Sequence, residues 1–368
     1  MITTLDRMVL VSFARSYAIV WTCLISLYVV IDLFTHLDAF VNRPGGFAAV
    51  ASYIVHYYGY RIPQVFDLLA EPIALLAATF TVSWMMKNNE LLPQLSAGVP
   101  TRRIIRPVLL GGAFAVSLAP LSTEFLIPEV ADELMSQRDD PEGAKAHILM
   151  GAYDTSGTHI EGSAGFRGDR RIDNFYATFP ESSPSGMVHL TAKDAVYISP
   201  AGAPMTGGWM LTGVVDTDRF TGRPTPTNLT IISPGRCFLK VDTADFETVS
   251  RGGTWYIYSS TMRLKEMLTG DEPRRQVKLA VLFHTRITRP LVGMLLVMLG
   301  VSVILWNPHR HIILSAGLCL ALGFGYYVCV LGCKALGDAD ILSPPLAAWL
   351  PVMIYGPGAV VAFDMIHT

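Results

Sequence analysis

Six separated runs of about twenty mostly apolar residues constrain this 368-residue chain more than any other feature of it. They lie at residues 17–37, 68–86, 108–126, 287–306, 312–331 and 346–363. Wound as α-helix at about 1.5 Å per residue, each is long enough to cross the roughly 30 Å hydrocarbon core of a bilayer, so each is predicted to be a transmembrane helix. The background agrees: 51% of the residues are hydrophobic and 16% charged, with a mean hydropathy of +0.40, too apolar for a soluble globular chain of this length. The first run is too long for a signal peptide and has no small-x-small cleavage site, so it reads as a retained span. The apolar residues of the preceding MITTLDRMVLVSFAR suggest a helix lying on the membrane surface.

Three runs come early and three late. The roughly 150 residues between them, a length typical of one domain, are polar and rich in Gly, Pro, Ser and Thr. Within them MVHLTAKDAVYIS and GWMLTGVV carry β-branched and aromatic residues in strand-like order, TWYIYS closes the segment as a further strand signal, and SPAGAPMTGG and TGRPTPTN punctuate it as turns. Short strands without a long helical pattern predict a small sandwich or jelly roll. PEVADELMSQRDDPEG is expected to continue the third helix before it breaks. The fold class is therefore an α-helical membrane protein with six transmembrane helices, three plus three, and an inserted all-β, β-jellyroll-like domain. The expected limits are 1–126 for the first membrane half, 127–275 for the β domain and 276–368 for the second half.

Orientation follows from Lys and Arg in short loops. With the amino terminus inside, the cytoplasmic side collects Arg7, Arg15, Lys87, Arg102, Arg103, Arg106 and Arg310, against Arg43, Arg61 and Lys334 outside. Both termini are then cytoplasmic and the β domain is external.

Several function classes are excluded or left unsupported. A net charge of −2 gives no reason to expect nucleic acid as a partner. There is no GxxxxGK[ST] loop, HExxH, GxSxG or paired-cysteine motif, so no catalytic residue, metal set or cofactor is identified, and any ATP must be bound by another subunit. Cys23, Cys319, Cys329 and Cys333 lie in or beside apolar runs, and Cys237 has no obvious partner. His309 and His311 read as solvated loop residues. Ser315, Cys319 and Gly323 make a small-xxx-small packing face.

The ionisable residues in and beside the runs are more informative, because a charge at the bilayer centre costs at least about 2.5–3.5 kcal/mol. Asp32, Asp67, Glu71 and Glu124 fall toward the expected outer ends of their helices, and Asp67 and Glu71 share one face. They either reach interfacial water or line a polar cavity, balanced by Arg286 and Arg289. Arg274, Arg275 and Lys278 form a second cationic group just before the fourth run. Snorkelling to head groups would explain such a cluster. Guanidinium groups also match phosphate bidentately, which would suit an amphipathic, phosphorylated glycolipid. The loop KNNELLPQLSAGVPTRRIIRP, with Glu90, Leu91, Leu92, Leu95, Gly98, Val99 and Arg102, fits either a plain connection or a surface helix over about residues 88–103 that docks a cytoplasmic partner.

In these pieces and their order the chain resembles the permease subunits of the lipopolysaccharide-export ABC transporter, the LptF/LptG (YjgP/YjgQ) family. The pieces are LDR at residues 5–7, IDLFTHLDAF, NELLPQLSAGVPTRRIIRPVL, LTAKDAVYI, GWMLTGV, MRLKEML, FHTRITRPL, WNPHRH and LAAWLP. The resemblance implies a second LptF/LptG-type subunit, a cytoplasmic ATPase dimer of the LptB type, a periplasmic β-jellyroll bridge of the LptC/LptA type and lipopolysaccharide as cargo. It matches Glu90 to the family's coupling acid, with Gly98 in the same helix, and Arg286 to its basic residue at the start of the fourth span. It also implies departures: Asp32 stands near the position of a lysine in some members, and Arg289 where an apolar residue is expected. A non-transporting membrane scaffold whose β domain binds an envelope protein or polymer is the alternative.

Overall fold

The computed structural model describes residues 4–41, 46–135, 146, 149, 151–181, 183, 186–200, 207–215, 225–250, 255–268, 273–306 and 312–366. The side chains of a few helical residues within these ranges, Arg274, Arg275 and Ser315 among them, lie outside the description, as do His309, Arg310 and His311. The chain divides into two compact units, 1–134 with 256–368, and 135–255.

In chain order the helical unit begins with α1 (Thr4–Thr35), α2 (Leu37–Val41), α3 (Phe47–Lys87), α4 (Leu91–Ser96) and α5 (Thr101–Leu121). α5 runs through a π-helical turn (Ser122–Leu126) into the short α6 (Ile127–Glu129) and α7 (Ala131–Met135). The second unit holds β1 (Ala152–Tyr153), β2 (His159–Phe166), β3 (Arg171–Phe179), β4 (Val188–Ile198), β5 (Gly208–Val215), β6 (Leu229–Ser233), β7 (Arg236–Lys240) and α8 (Phe246–Ser250). A 3-10 turn (Trp255–Tyr258) and α9 (Thr261–Leu268) lead to α10 (Pro273–Trp306), α11 (Ile312–Asp338) and α12 (Pro344–Asp364).

Six of these helices are long and apolar enough to cross a membrane, as expected. Their limits differ from the apolar runs. The segment before the first span is not a separate surface helix: α1 has no Gly or Pro from Thr4 to Thr35, so nothing breaks it, and Val9 and Phe13 are buried in the helical core. α3 starts about twenty residues before its apolar run and is about 60 Å long, twice the hydrocarbon thickness. Its early turns are held by aromatic packing of Tyr57 and Tyr58 against Phe40 of α2. α10 likewise begins at Pro273, so the basic residues before the fourth run are part of the spanning helix itself.

α10 packs against α3, α5, α11 and α12. It approaches α3 and α5 closely at Gly293, where a Cβ would stand 2.8 Å from Val116 and 3.1 Å from Glu71. Only a residue without a side chain fits there unless its neighbours move.

The expected all-β insertion is present. Among the described residues its strands form one antiparallel sheet in the order β1-β2-β3-β4-β5-β7-β6, near-sequential except at β6 and β7. One face is buried: Trp209, Phe175, Phe179 and Phe246 lie at its centre, and Trp209 donates its indole N–H to the Ala244 carbonyl at 2.9 Å. In β3 the buried positions shift from Ile172 to Phe175, Ala177 and Phe179. The switch falls at Asn174, with φ +50°, while the register with β2 and β4 is the same on both sides of it. The predicted strand TWYIYS is instead the 3-10 turn, and from Tyr256 onward it belongs to the helical unit, where Tyr256 packs with Leu264 and Leu279. The expected limit at 275 therefore moves back to about residue 255.

Candidate functional site

Two prolines set the local backbone of the site. Pro72 has no N–H, so the Leu68 carbonyl one turn earlier in α3 loses its helical donor. The Tyr327 hydroxyl of α11 donates to that carbonyl instead. Pro290 does the same to the Arg286 carbonyl in α10. Each proline directly follows an ionisable residue, Glu71 or Arg289, and these two residues meet.

Arg289 is held by both acids that share the face of α3. Its Nη1 lies 2.9 Å from each oxygen of Asp67. Its Nε donates to Glu71 Oε1, and its Nη2 donates to Glu71 Oε2 at 3.1 Å and to the Asp67 carbonyl. Asp67 accepts a further bond from Thr123 Oγ1 at 2.7 Å, so the cluster also ties in the π-helical turn after α5. The Glu71 side chain is 3% exposed, against 21% for Asp67 and 24% for Arg289. Counted along α3, Glu71 is about 20 Å from Trp84, a residue of the type that collects at membrane interfaces, and about 20 Å from Tyr58. The two acids therefore lie near the middle of the 41-residue α3. Pairing with Arg289 offsets much of the cost of burying carboxylates there.

The cluster forms one wall of a cavity of about 350 Å³ between α3, α10, α11 and α12. Val65, Leu68, Val292 and Ala348 give it apolar sides, and Gln64, Arg286 and Lys334 add polar groups. Volume and lining fall within the range of sites that hold part of a small amphipathic ligand. Arg286 does not pair with the acids of α3. Its Nη1 donates to the Ser259 carbonyl at 2.6 Å and to Thr261 Oγ1 at 3.5 Å, and its Nη2 donates to the Ile257 carbonyl at 2.6 Å. Beside it Glu124 accepts the backbone N–H groups of Thr261 at 2.8 Å and Met262 at 3.4 Å, capping α9. The 256–262 segment is thus clasped by one acid and one base from two spanning helices.

The other candidate residues fall elsewhere. Asp32 is not a cavity residue: it accepts a bond from Tyr58 at 2.8 Å and lies 3.5 Å from His36. Lys278 is exposed on α10, and Arg274 and Arg275 occupy its first turn. The expected surface helix over 88–103 is only the six-residue α4. Asn89, with φ +54°, precedes it, and Gly98, with φ +76°, lies beyond its end and reverses the chain. Glu90 sits at its start. Leu91, Leu95 and Val99 pack against the protein's own core and leave Leu92 outward, 62% exposed. Arg102 belongs to α5 and pairs with Asp364 at 2.8 Å. Lys334, assigned by the apolar runs to an outer loop, lies within α11 and lines the cavity, because that helix continues to Asp338.

Six spanning helices, a β insertion and a charged cavity buried between the helices define a polytopic membrane protein of the permease class. The family model of the lipopolysaccharide export system permease LptF/LptG matches residues 7–146 and 216–364, nearly all of the helical unit and the two ends of the β insertion. The chain belongs to that family, and so is a multi-pass inner-membrane permease of lipopolysaccharide export and not itself an enzyme. No curated protein sequence matches it.

Proposed function

We propose that this chain is one of two permease subunits of an ATP-driven exporter that lifts a lipopolysaccharide-like glycolipid out of the inner membrane and passes it to a periplasmic β-jellyroll bridge of the LptC/LptA type. A second LptF/LptG-type chain completes the pathway, and an ATPase dimer of the LptB type binds the ATP beneath it. Both termini are cytoplasmic and the β unit is periplasmic. The observation that carries this reading is the cavity, which sets apolar walls beside two guanidinium groups between the spanning helices, the pairing that acyl chains and phosphates together require. The outward faces of α1, α11 and α12 support it, since only 11–22% of each apolar window is buried within the chain.

Purification from native membranes in mild detergent tests the reading. It expects a P-loop ATPase, a second six-span chain and a phosphorylated glycolipid by mass spectrometry. Recovery alone or with envelope proteins only would overturn it in favour of a scaffold. Arg286→Glu is expected to lower glycolipid retention by roughly 10–100-fold, the range for losing a charge-assisted contact. Unchanged retention would remove Arg286 from the cargo site.

A further inference from the structure

Asp67 holds the edge of Arg289 that a phosphate would take. Nη1 faces both oxygens of the Asp67 carboxylate at 2.9 Å and Nη2 donates to the carbonyl of the same residue, so Asp67 covers the Nη1–Nη2 edge, one of the two edges on which a guanidinium takes an oxyanion, while Glu71 takes the Nε–Nη2 edge. The two acids are not equivalent. Glu71 is 3% exposed and packs under Gly293, whereas Asp67 is 21% exposed and lines the cavity. We infer that Asp67 is an internal competitor for the cargo's phosphate: it occupies Arg289 in the empty cavity and gives way when a phosphate group enters, while Glu71 stays in place.

Three further observations favour that exchange. Asp67 and Glu71 already occupy the N–H groups of Arg289, so a phosphate that binds this guanidinium does so at the expense of one of them. A phosphate that replaces Asp67 keeps the guanidinium ligated on both sides. A displaced Asp67 keeps a hydrogen bond ready, since Thr123 Oγ1 already donates to it at 2.7 Å from the π-helical turn. The backbone that must shift is the turn before Pro72, where the Leu68 carbonyl is held by a tyrosine hydroxyl and not by a helical N–H. Bending there breaks no main-chain bond of the helix at that carbonyl. The consequence is a site of restrained affinity, suited to a protein that must release what it binds.

The inference rests on the transport reading and has a sign opposite to that of an ordinary binding residue: removing the charge of Asp67 strengthens binding. The full chain, in bilayer discs of phosphatidylcholine, is titrated with bisphosphorylated lipid A, with chemically dephosphorylated lipid A and with inorganic pyrophosphate. Asp67→Asn is expected to bind the bisphosphorylated lipid at least tenfold more tightly than the parent chain and the dephosphorylated lipid equally. If the parent prefers the bisphosphorylated lipid and Asp67→Asn binds it no more tightly, competition is overturned and the transport reading stands. A parent chain indifferent to phosphate overturns both. An equal gain for pyrophosphate alone supports competition for the anion and counts against a lipid as its source. Should the asparagine variant not fold, Asp67→Ser, neutral and able to keep the bond to Thr123, carries the same expectation.

Discussion

Asp154 shows in the β unit how a single buried carboxylate can organise the chain around it. It is 5% exposed and gathers the backbone N–H groups of Asp242 at 2.8 Å and Thr243 at 2.9 Å, with the Ser156 hydroxyl at 2.7 Å. Burial alone would raise its pKa. The Thr243 amide, the Ser156 hydroxyl and the Asp242 amide outweigh burial and hold it at about 2. Because the folded value is depressed, its stabilisation is complete above the unfolded carboxylate range and disappears as pH falls toward 2. Hydrogen exchange should therefore find the amides of 242–243 protected at pH 4 and losing protection near pH 2. In Asp154→Asn they should be deprotected at both, at a cost of about 1.5–3 kcal/mol for bonds to a charged group. In the membrane unit the i, i+4 acids on α3 and their basic counterparts on α10 were legible as types. Which arginine answers the acids was not, since Arg286 and Arg289 are three residues apart. The choice follows from Gly293, one turn after Arg289, which lets α3 approach that face and leaves Arg286 to the carbonyls of Ile257 and Ser259.

At the scale of elements, the same clasp explains why TWYIYS misleads. Its composition is that of a strand, but two of its carbonyls are taken by Arg286, and the amides that follow are capped by Glu124. That tertiary demand overrides a local propensity worth at most about 1 kcal/mol. β4 and β5 fall on MVHLTAKDAVYIS and GWMLTGVV because their apolar residues lie in paired inner strands, where Leu190, Ala192, Trp209 and Leu211 are buried. Glu124 reaches α9 from a π-helical turn, which inserts a residue into α5 and re-aims the side chains beyond it. Glu124→Ala should therefore fray α9 with little effect on α5. A loss of about 1 kcal/mol is expected, as for a removed helix cap, read as faster hydrogen exchange at 261–264. Equal exchange in the variant would mean the cap contributes nothing.

For the whole molecule, the question is what the loop between α3 and α5 offers to a partner. A helix over 88–103 with its apolar set outward would dock as a unit. α4 instead divides its leucines, Leu91 and Leu95 toward the core and Leu92 outward. The division follows from length: Pro93 sits within the helix and Gly98 turns the chain in the left-handed region, so only about one and a half turns form, and a helix that short is stable only when packed. In the proposed complex the ATPase can then meet only the outward edge of α4 around Leu92, with Glu90 at its start. The two sets of leucines separate by experiment. Leu95→Ala should lower the melting temperature of the chain, at a cost of about 1–2 kcal/mol for a half-buried leucine, less than the 2–5 of a fully buried one, while still retaining ATPase. Leu92→Arg should leave the melting temperature unchanged and lose the ATPase from the purified complex. If Leu92→Arg retains the ATPase and its lipid-stimulated hydrolysis, α4 is a packed connection and the contact must be sought elsewhere on the chain.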